Sequence, residues 1–323
     1  MGLHPAVAAV RRGVRQHLQG LPEDGNILVA CSGGADSLAL LSAAVFEGHR
    51  SALRVVGVTV DHQLQEGSAA HAQRVADQMR ELRADDTIVA TVTVSAAGLG
   101  PEAAAREARY RVLEQLADRY DAGLVLLGHT LDDQAETVLM GLTRGSGVRS
   151  LAGMRRSFDR FARPLLDVTR ADTETACLAE GVDWWTDPHN SDPAFTRVRL
   201  RTRVLPLLEE ELGPGVARTL ARTADQARAD VAYLDTVAEA AFDDVAQERG
   251  LPVTALAALP EAIRRRVVRL AALAAGSPAD ELFHEHVVAV DELVTAWRGQ
   301  KWIDLPGHLR AVRRDGLVGF ERQ

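Results

Sequence analysis

Lysine is nearly missing from this chain: it occurs once, at Lys301, in 323 residues, and every other residue of fixed positive charge is arginine. Acidic residues outnumber basic ones, 45 against 37, for a formal net charge of -8. That balance excludes a protein that coats nucleic acid along its whole length. Cysteine is as scarce: Cys31 and Cys177 stand far apart with no CxxC pair, so neither a disulfide framework nor a cysteine metal site is expected. A reducing, cytoplasmic compartment fits. No apolar run approaches the roughly 18 residues that would span a bilayer, so no membrane partner is expected. The N-terminal stretch MGLHPAVAAVRRGVRQHLQG lacks the order of a signal peptide and reads as an amphipathic first helix. With 46% hydrophobic and 25% charged residues, a chain of this length can bury a large core and hold two domains.

What is present is organised around Asn26 to Ser37, NILVACSGGADS. Ile27 to Ala30 is a short apolar run of the kind found in buried parallel strands, and Leu38 to Phe46 resumes as an apolar helix. A strand that turns through Ser32, Gly33, Gly34 and Ala35 into a helix N-terminus leaves backbone N–H groups without partners, which is an anion site. The glycines allow a phosphate to approach the backbone, and the hydroxyls of Ser32 and Ser37 can donate to it. Asp36 is the odd residue. A carboxylate beside a phosphate needs a bridging cation or a cationic substrate group, so Asp36 reads as a magnesium or amine ligand. The plain alternative is an N-capped strand-to-helix turn.

Leu53 to Val60 and Thr87 to Val94 read as further strands and Ser68 to Leu82 as a helix, an alternation that predicts a parallel α/β sheet with helices on both faces. Asp61 and His62 end the second strand, where a nucleotide would lie beyond the carboxyl edge. Pro101 to Asp118 is a strong helix with Glu102, Arg106 and Arg109 on one face, a pattern that by spacing alone is a surface ion-pair ladder. Leu124 to Leu127 is a fourth strand, followed by GHTLDDQAETVL. Here His129 ends the strand, and Asp132, Asp133 and Glu136 fall in the first turns of a helix. Capping accounts for acids at that position but not for the histidine beside them; acids near a phosphate site suit magnesium or the ammonium groups of a substrate.

Gly141 to Arg156 is glycine-rich and basic, and its Arg144 and Arg149 could close over phosphates or an RNA strand. Arginines accumulate from Arg144 to Arg170 and again in TRVRLRTR, which carries Arg197 and Arg201. Trp184 and Trp185 could stack bases, though tryptophans more often fill a core. The C-terminal third, from about Gly213, reads as alanine-rich helices followed by short strands between Lys301 and Phe320, with Arg264 to Arg266 and Arg313 with Arg314 as phosphate-contact candidates.

SGGADS at 32–37, VDH at 60–62, AAAREARY at 103–110, GHTLDDQAET at 128–137, RGSGVRSLAGM at 144–154, RPLL at 163–166 and the WWTDPHNSD to RVRLR segment occur in one order and together resemble the tRNA(Ile)-lysidine synthetases. These belong to the N-type ATP pyrophosphatases, or PP-loop superfamily. Two positions depart from the family pattern: Thr130 stands where a second histidine is usual, and Val198 where asparagine is usual.

The resemblance implies a Rossmann-like PP-loop sheet, of the adenine nucleotide α-hydrolase kind, over residues 1–212, and a smaller, mainly helical, tRNA-recognising domain ending in short strands over 213–323. It implies ATP-dependent ligation of L-lysine to carbon 2 of the wobble cytidine in the CAU anticodon of tRNA(Ile), through an adenylated tRNA. In that reading Ser32, Gly33, Gly34, Ala35, Asp36, Ser37, Asp61 and His62 bind ATP. Asp36, His129, Asp132, Asp133 and Glu136 serve catalysis or hold lysine, and Asp36 with Asp133 holds Mg2+. Arg106, Arg144, Arg149, Arg197 and Arg201 meet the tRNA. The C-terminal helices could equally support a homodimer. The alternatives are a tRNA thiolase of the same superfamily, or a nucleotide-sensing, RNA-binding protein without turnover.

Overall fold

The computed structural model describes residues 2–61, 63, 67–92, 101–144, 147–186 and 192–323, without the side chains of 101–103 and 144. His62, residues 93–94 of the expected third strand, Gly145, Ser146, residues 187–191 and the side chains of Glu102 and Arg144 therefore lie outside it.

The described chain divides into two compact units, one of residues 1–140 and 153–224, the other of 141–152 and 225–323. In the first unit α1 (Pro5–Leu18) leads into β1 (Asn26–Ala30), α2 (Ala35–Arg50), β2 (Arg54–Asp61), α3 (Ser68–Glu81), β3 (Asp86–Thr91), α4 (Pro101–Arg119) and β4 (Ala122–Leu127). Then follow α5 (Leu131–Arg144), the helix α6 (Val148–Leu151) of the second unit, and, back in the first, β5 (Ser157–Phe158), β6 (Phe161–Ala162) and α7 (Arg170–Glu180). Next come α8 (Thr196–Arg199), a π-helical turn (Leu200–Val204), α9 (Leu205–Leu212) and the long α10 (Val216–Val245). The strand order is β3-β2-β1-β4-β6-β5, parallel throughout except for the antiparallel β5–β6 edge. The parallel α/β sheet expected from the alternation is therefore present, and the order reverses between β1 and β4.

Strand periodicity explains why helices cover both faces. Ile27, Val29 and Cys31 point into a core shared with α1, α2, α3 and α7, whereas Leu28 points into a second core with Val56, Val58, Val125 and the α4 residues Leu113 and Ala117. With both faces buried, the strands read as continuous apolar runs. On the first face, ion pairs tie the helices together: the exposed Arg15 of α1 makes a bidentate pair with the buried Glu47 of α2 at 2.7 and 2.9 Å. Glu180, at the end of α7, accepts from Arg11 of α1 and Ser42 of α2, both at 2.6 Å. Helix α7 has strong stop signals of its own. Thr169 and Asp172 form a reciprocal capping box, and Gly181 closes the helix at φ 68°. The first turns of α2 and α7 meet as a result, and Cys177 lies against the Ala35 carbonyl.

The second unit has its own core, built from Ala238, Leu256, Val267, Val268, Val290 and Leu293. Its elements are the short helix α6, the later part of α10, β7 (Leu251–Pro252), α11 (Val253–Ala258), α12 (Glu261–Ala274), α13 (His284–Thr295), β8 (Ile303–Leu305), β9 (Leu309–Arg314) and β10 (Leu317–Arg322). An antiparallel sheet runs β7-β10-β9-β8. The mainly helical C-terminal region ending in short strands is thus present. Its arginines are largely spoken for: Arg264 and Arg265 both pair with the buried Asp291, and Arg266 pairs with Asp235.

Gly13 gives a test of the α1 packing. A Cβ there would lie 2.3 Å from the Pro164 carbonyl oxygen. Helix propensity alone would make Gly13→Ala stabilising by about 1 kcal/mol, but forcing a methyl against a backbone carbonyl costs about 1–3 kcal/mol. The melting temperature of Gly13→Ala is expected to fall by a few degrees; a rise would mean that α1 is not seated on the Pro164 backbone.

Candidate active site

The loop after β1 and the loop after β4 open side by side at the carboxyl edge of the sheet, where the strand order reverses and where such sheets bind ligands. They line a cleft of about 650 Å3 together with Val58, Val60, Arg109, Arg170, Glu174, Trp184, Trp185, Thr186 and Arg201. Gly128 keeps the two loops together. A side chain there would sit 3.2 Å from Ser37 Cα and 3.3 Å from its nitrogen.

The first loop separates donors from acceptors. Every carbonyl from Ser32 to Gly34 has a donor: Ser32 O faces His71 Nε2 at 3.1 Å, Gly33 O accepts from Trp185 N–H at 3.0 Å, and Gly34 O accepts from the N–H groups of Ser37 and Leu38. The N–H groups of Gly34, Ala35 and Asp36 make no hydrogen bond among the described residues, while that of Gly33 faces the buried Cys31 thiol. Gly34, Ala35 and Asp36 all line the cleft. Free N–H groups at the start of a 16-residue helix form an anion cradle. Ser37 is an internal brace: its hydroxyl donates to Gly34 O at 2.9 Å and accepts from Ser32 N–H at 3.1 Å.

Asp36 is far from a solvated loop carboxylate, as the motif alone would suggest. Its first-turn position in α2 puts it against α7, where it accepts from Thr173 and from Arg170 Nε at 3.3 Å. Arg170 also donates to Asp133 at 2.9 Å and lies 3.8 Å from the fully buried Glu136, while its backbone N–H donates to Asp132 at 2.8 Å. Arg201, from the π-helical turn, pairs with Glu136 at 2.8 Å and approaches Asp133 at 3.6 Å; Arg197 lies 4.0 Å from Glu136. The structure thus gathers the four predicted acids, but around arginines.

The charges respond accordingly. Burial pushes the Asp36 carboxyl above its ordinary value, against the pull of Arg170 and Thr173. Burial also acts to raise Asp133, yet Arg170, the Thr130 N–H, His129 and Arg201 together hold it below the usual carboxylate range. Arg170, opposed by its own burial, is held above its ordinary value by Asp133, Asp36, Glu136 and Asp132. Thr130, the departure from the family pattern, is buried and donates to Asp133 through both N–H (2.8 Å) and hydroxyl (3.1 Å). A threonine cap therefore orients Asp133 in this chain. Val198, the other departure, is buried.

Across the cleft the balance is different. His129 is half-buried, with its Nδ1 buried and unpartnered. Its pKa is lowered to about 3, by burial first, with Asp133 opposing and Arg163, Arg109 and Arg106 adding to the fall. Arg109 lines the cleft and makes no hydrogen bond or ion pair among the described residues. Its partner on the sequence ladder, Arg106, is exposed and folds over Tyr110 instead, 5.0 Å from the ring centroid. A cleft-lining arginine without a counter-ion among the described residues, beside a neutral imidazole, is a second place for a phosphate.

Other predicted residues lie elsewhere. Asp61 is buried at the end of β2 and accepts from Gln63 N–H at 2.9 Å. Arg149 belongs to the second unit and pairs with Asp235 at 2.6 Å. The basic run of the first unit is mostly ion-paired: Arg156 binds Asp167, Arg160 binds Asp118, and Arg163 donates to Tyr110 Oη and the Arg155 carbonyl. Trp184 packs on the core, while Trp185 packs against His71 in a tilted contact with centroids 4.1 Å apart. Arg109, Arg170, Thr173 and His71 were not singled out as site residues from the sequence. For Arg109 the AAAREARY block was the available signal; for the others there was none, because their partners are more than thirty positions away.

Comparison with known proteins bears on the family and the fold. A PP-loop domain model matches residues 8–208 and a TilS substrate binding domain model matches residues 251–317. The chain is 53% identical over 318 residues to a tRNA(Ile)-lysidine synthase of Thermobifida fusca, covering 98% of each. It is 49% identical over 348 residues to one of Streptomyces coelicolor, covering 98% of this chain and 99% of that one. Among solved structures, a U34-tRNA thiolase from Methanococcus maripaludis shares the fold with TM-score 0.57 over 68% of this chain and 79% of that one, at 17% identity.

The His129 environment has a pH consequence. A histidine whose folded-state pKa lies below its ordinary 6.5 resists protonation in the native protein, so its contribution to stability is present above about pH 6.5 and is lost as pH falls towards 3. The stability of the wild type minus that of His129→Gln should therefore shrink between pH 7 and pH 5 in urea titrations. A difference independent of pH would show that His129 titrates normally in the folded state.

Proposed function

The chain belongs to the tRNA(Ile)-lysidine synthases, and from that membership we propose that it joins L-lysine to carbon 2 of the wobble cytidine in the CAU anticodon of tRNA(Ile). ATP is consumed to adenylate the cytidine, and lysine then displaces AMP. The observation that carries this reading is the row of free N–H groups from Gly34 to Asp36, set across one cleft from Arg109 and His129. The N–H row suits a departing pyrophosphate, whose charge grows as the bond to the α-phosphate breaks, and Arg109 with His129 suits the phosphate that stays on the nucleotide. Because His129 remains neutral, it can accept or donate a hydrogen bond there without adding charge.

The acidic side of the cleft fits the second substrate. Lysine must present its α-ammonium to a carboxylate while its ε-amine attacks uncharged. Asp133, held ionised by Arg170, Thr130 and Arg201, is the carboxylate best prepared for an ammonium group. Magnesium needs only one or two carboxylates when phosphates and water supply its other ligands. Asp36 and Asp133 meet that requirement and would hold it; when bound it would neutralise charge on the leaving pyrophosphate. Asp132 and Glu136 act behind them, Asp132 on the Arg170 N–H and Glu136 on the Arg201 guanidinium. Thiolation fits this chain less well, since burial raises the pKa of Cys31 and pushes that of Cys177 up to about 12, so neither is a ready thiolate.

The deciding measurement is incorporation of radiolabelled lysine into an unmodified tRNA(Ile) transcript with a CAU anticodon, beside a CAU methionine tRNA control. Label in the first alone is expected. Label in neither, with ATP binding intact, would overturn the proposal. In the same assay Asp36→Asn is expected to lose at least about a hundredfold in rate while keeping the fold, because the amide retains the hydrogen bond to Thr173. Wild-type turnover of that variant would remove Asp36 from the mechanism.

A further inference from the structure

The SGGADS motif is anchored on its outer side by two residues that are not part of it. His71, on the first turn of α3, brings Nε2 to 3.1 Å from the Ser32 carbonyl. Trp185, in the segment after α7, donates its backbone N–H to the Gly33 carbonyl at 3.0 Å. The two rings pack against each other, tilted by 42° with centroids 4.1 Å apart. The contact is close: Gly33 adopts φ +83°, and a Cβ there would meet Val75 at 2.6 Å and His71 Cε1 at 3.2 Å.

A peptide unit points its carbonyl and its N–H to opposite sides. Fixing Ser32 O and Gly33 O on the outer side therefore fixes the N–H groups of Gly33 and Gly34 on the other. The Gly33 N–H is directed at the Cys31 thiol, and the Gly34 N–H is one of the three donors free for phosphate. Glycine imposes little preference on its own backbone, so Gly33 and Gly34 need an external restraint if the cradle is to exist before the ligand arrives. A flipped peptide would present a carbonyl oxygen to a phosphate oxygen, turning attraction into repulsion. We infer that His71 and Trp185 are positioning residues of the reaction: a clamp that holds the loop carbonyls outward and so preorganises the N–H groups for the β- and γ-phosphates of ATP. The clamp constrains the tautomer as well. The Ser32 carbonyl can only accept, so His71 carries a proton on Nε2, and its Nδ1, buried and unpartnered, is the other ring nitrogen.

This inference rests on the reading of the loop as the ATP site, and the test separates the two. ATP binding is measured directly by calorimetry for the full chain, alongside steady-state constants for ATP and lysine in tRNA lysylation. His71→Ala should weaken ATP binding and raise its KM about tenfold, the worth of one hydrogen bond and its positioning, and leave the KM for lysine unchanged. His71→Gln, whose side-chain amide can still donate to Ser32 O, should recover most of the loss. Trp185→Phe, which keeps the backbone donor and a stacking ring, should resemble the wild type, and Trp185→Ala should resemble His71→Ala. Unchanged ATP binding in His71→Ala would overturn the clamp. So would a rise in both KM values together with a lower melting temperature, or a glutamine variant no better than alanine. Should the wild type bind ATP but not lysylate tRNA, the functional reading fails and the calorimetric series still decides the clamp.

Discussion

Three carboxylates held close together and out of water have to be neutralised, and the rest of the first unit is arranged around how that is done. At an effective dielectric of about 20, two like charges 4 Å apart repel by roughly 4 kcal/mol, so Asp36, Asp133 and Glu136 could not remain ionised side by side on their own. Arg170 enters from the N-terminus of α7 and Arg201 from the π-helical turn, and between them they contact all three. Each acid comes from the start of a helix that follows a sheet strand, and each arginine from a later segment folded back over the cleft. Packing of α1, α2 and α7 through Glu47 and Glu180 is what brings Arg170 within reach.

The arrangement constrains how the proposed substrates bind. The acidic cluster carries little net charge as it stands, because its arginines answer it almost one for one. An ammonium group or a magnesium ion gains most from Asp36 and Asp133 when Arg170 shifts its hydrogen bonds towards Asp132 and Glu136, which already hold its backbone N–H and lie near its guanidinium. Opposite, Arg109 has no counter-ion among the described residues, and the surplus positive charge there is part of what keeps His129 unprotonated. One wall of the cleft is balanced and the other is short of an anion.

The sheet could be read from residues because its signals are local: apolar runs ending in Ala30 and Leu127, a Gly-Gly turn, and a proline-started helix at 101. The anion cradle was readable for the same reason, since the unpaired N–H groups belong to the motif itself. What could not be read was pairing across the chain. Spacing placed Arg106 and Arg109 on one face of α4 but said nothing about which would turn to the cleft, and the fold chose Arg109. Arg149 and the arginines from 155 to 163 looked like a basic surface when counted along the chain, yet Asp235, Asp167 and Asp118 take up several of them. The β5–β6 hairpin and α6 were missed because elements of two to four residues carry too few periodic positions to register.

The scarcity of lysine, the first oddity of the sequence, takes on a physical meaning at this site. Every cation around the cleft is a guanidinium: Arg109, Arg163, Arg170, Arg197 and Arg201. A guanidinium stays protonated even when burial and like charges work against it, as they do at Arg109, and so it cannot become a nucleophile. A lysine in the same seat could lose its proton under that pressure and offer an ε-amine to an activated cytidine. In a protein proposed to admit free lysine as its attacking group, surroundings built from arginine leave the substrate's amine as the one that can react.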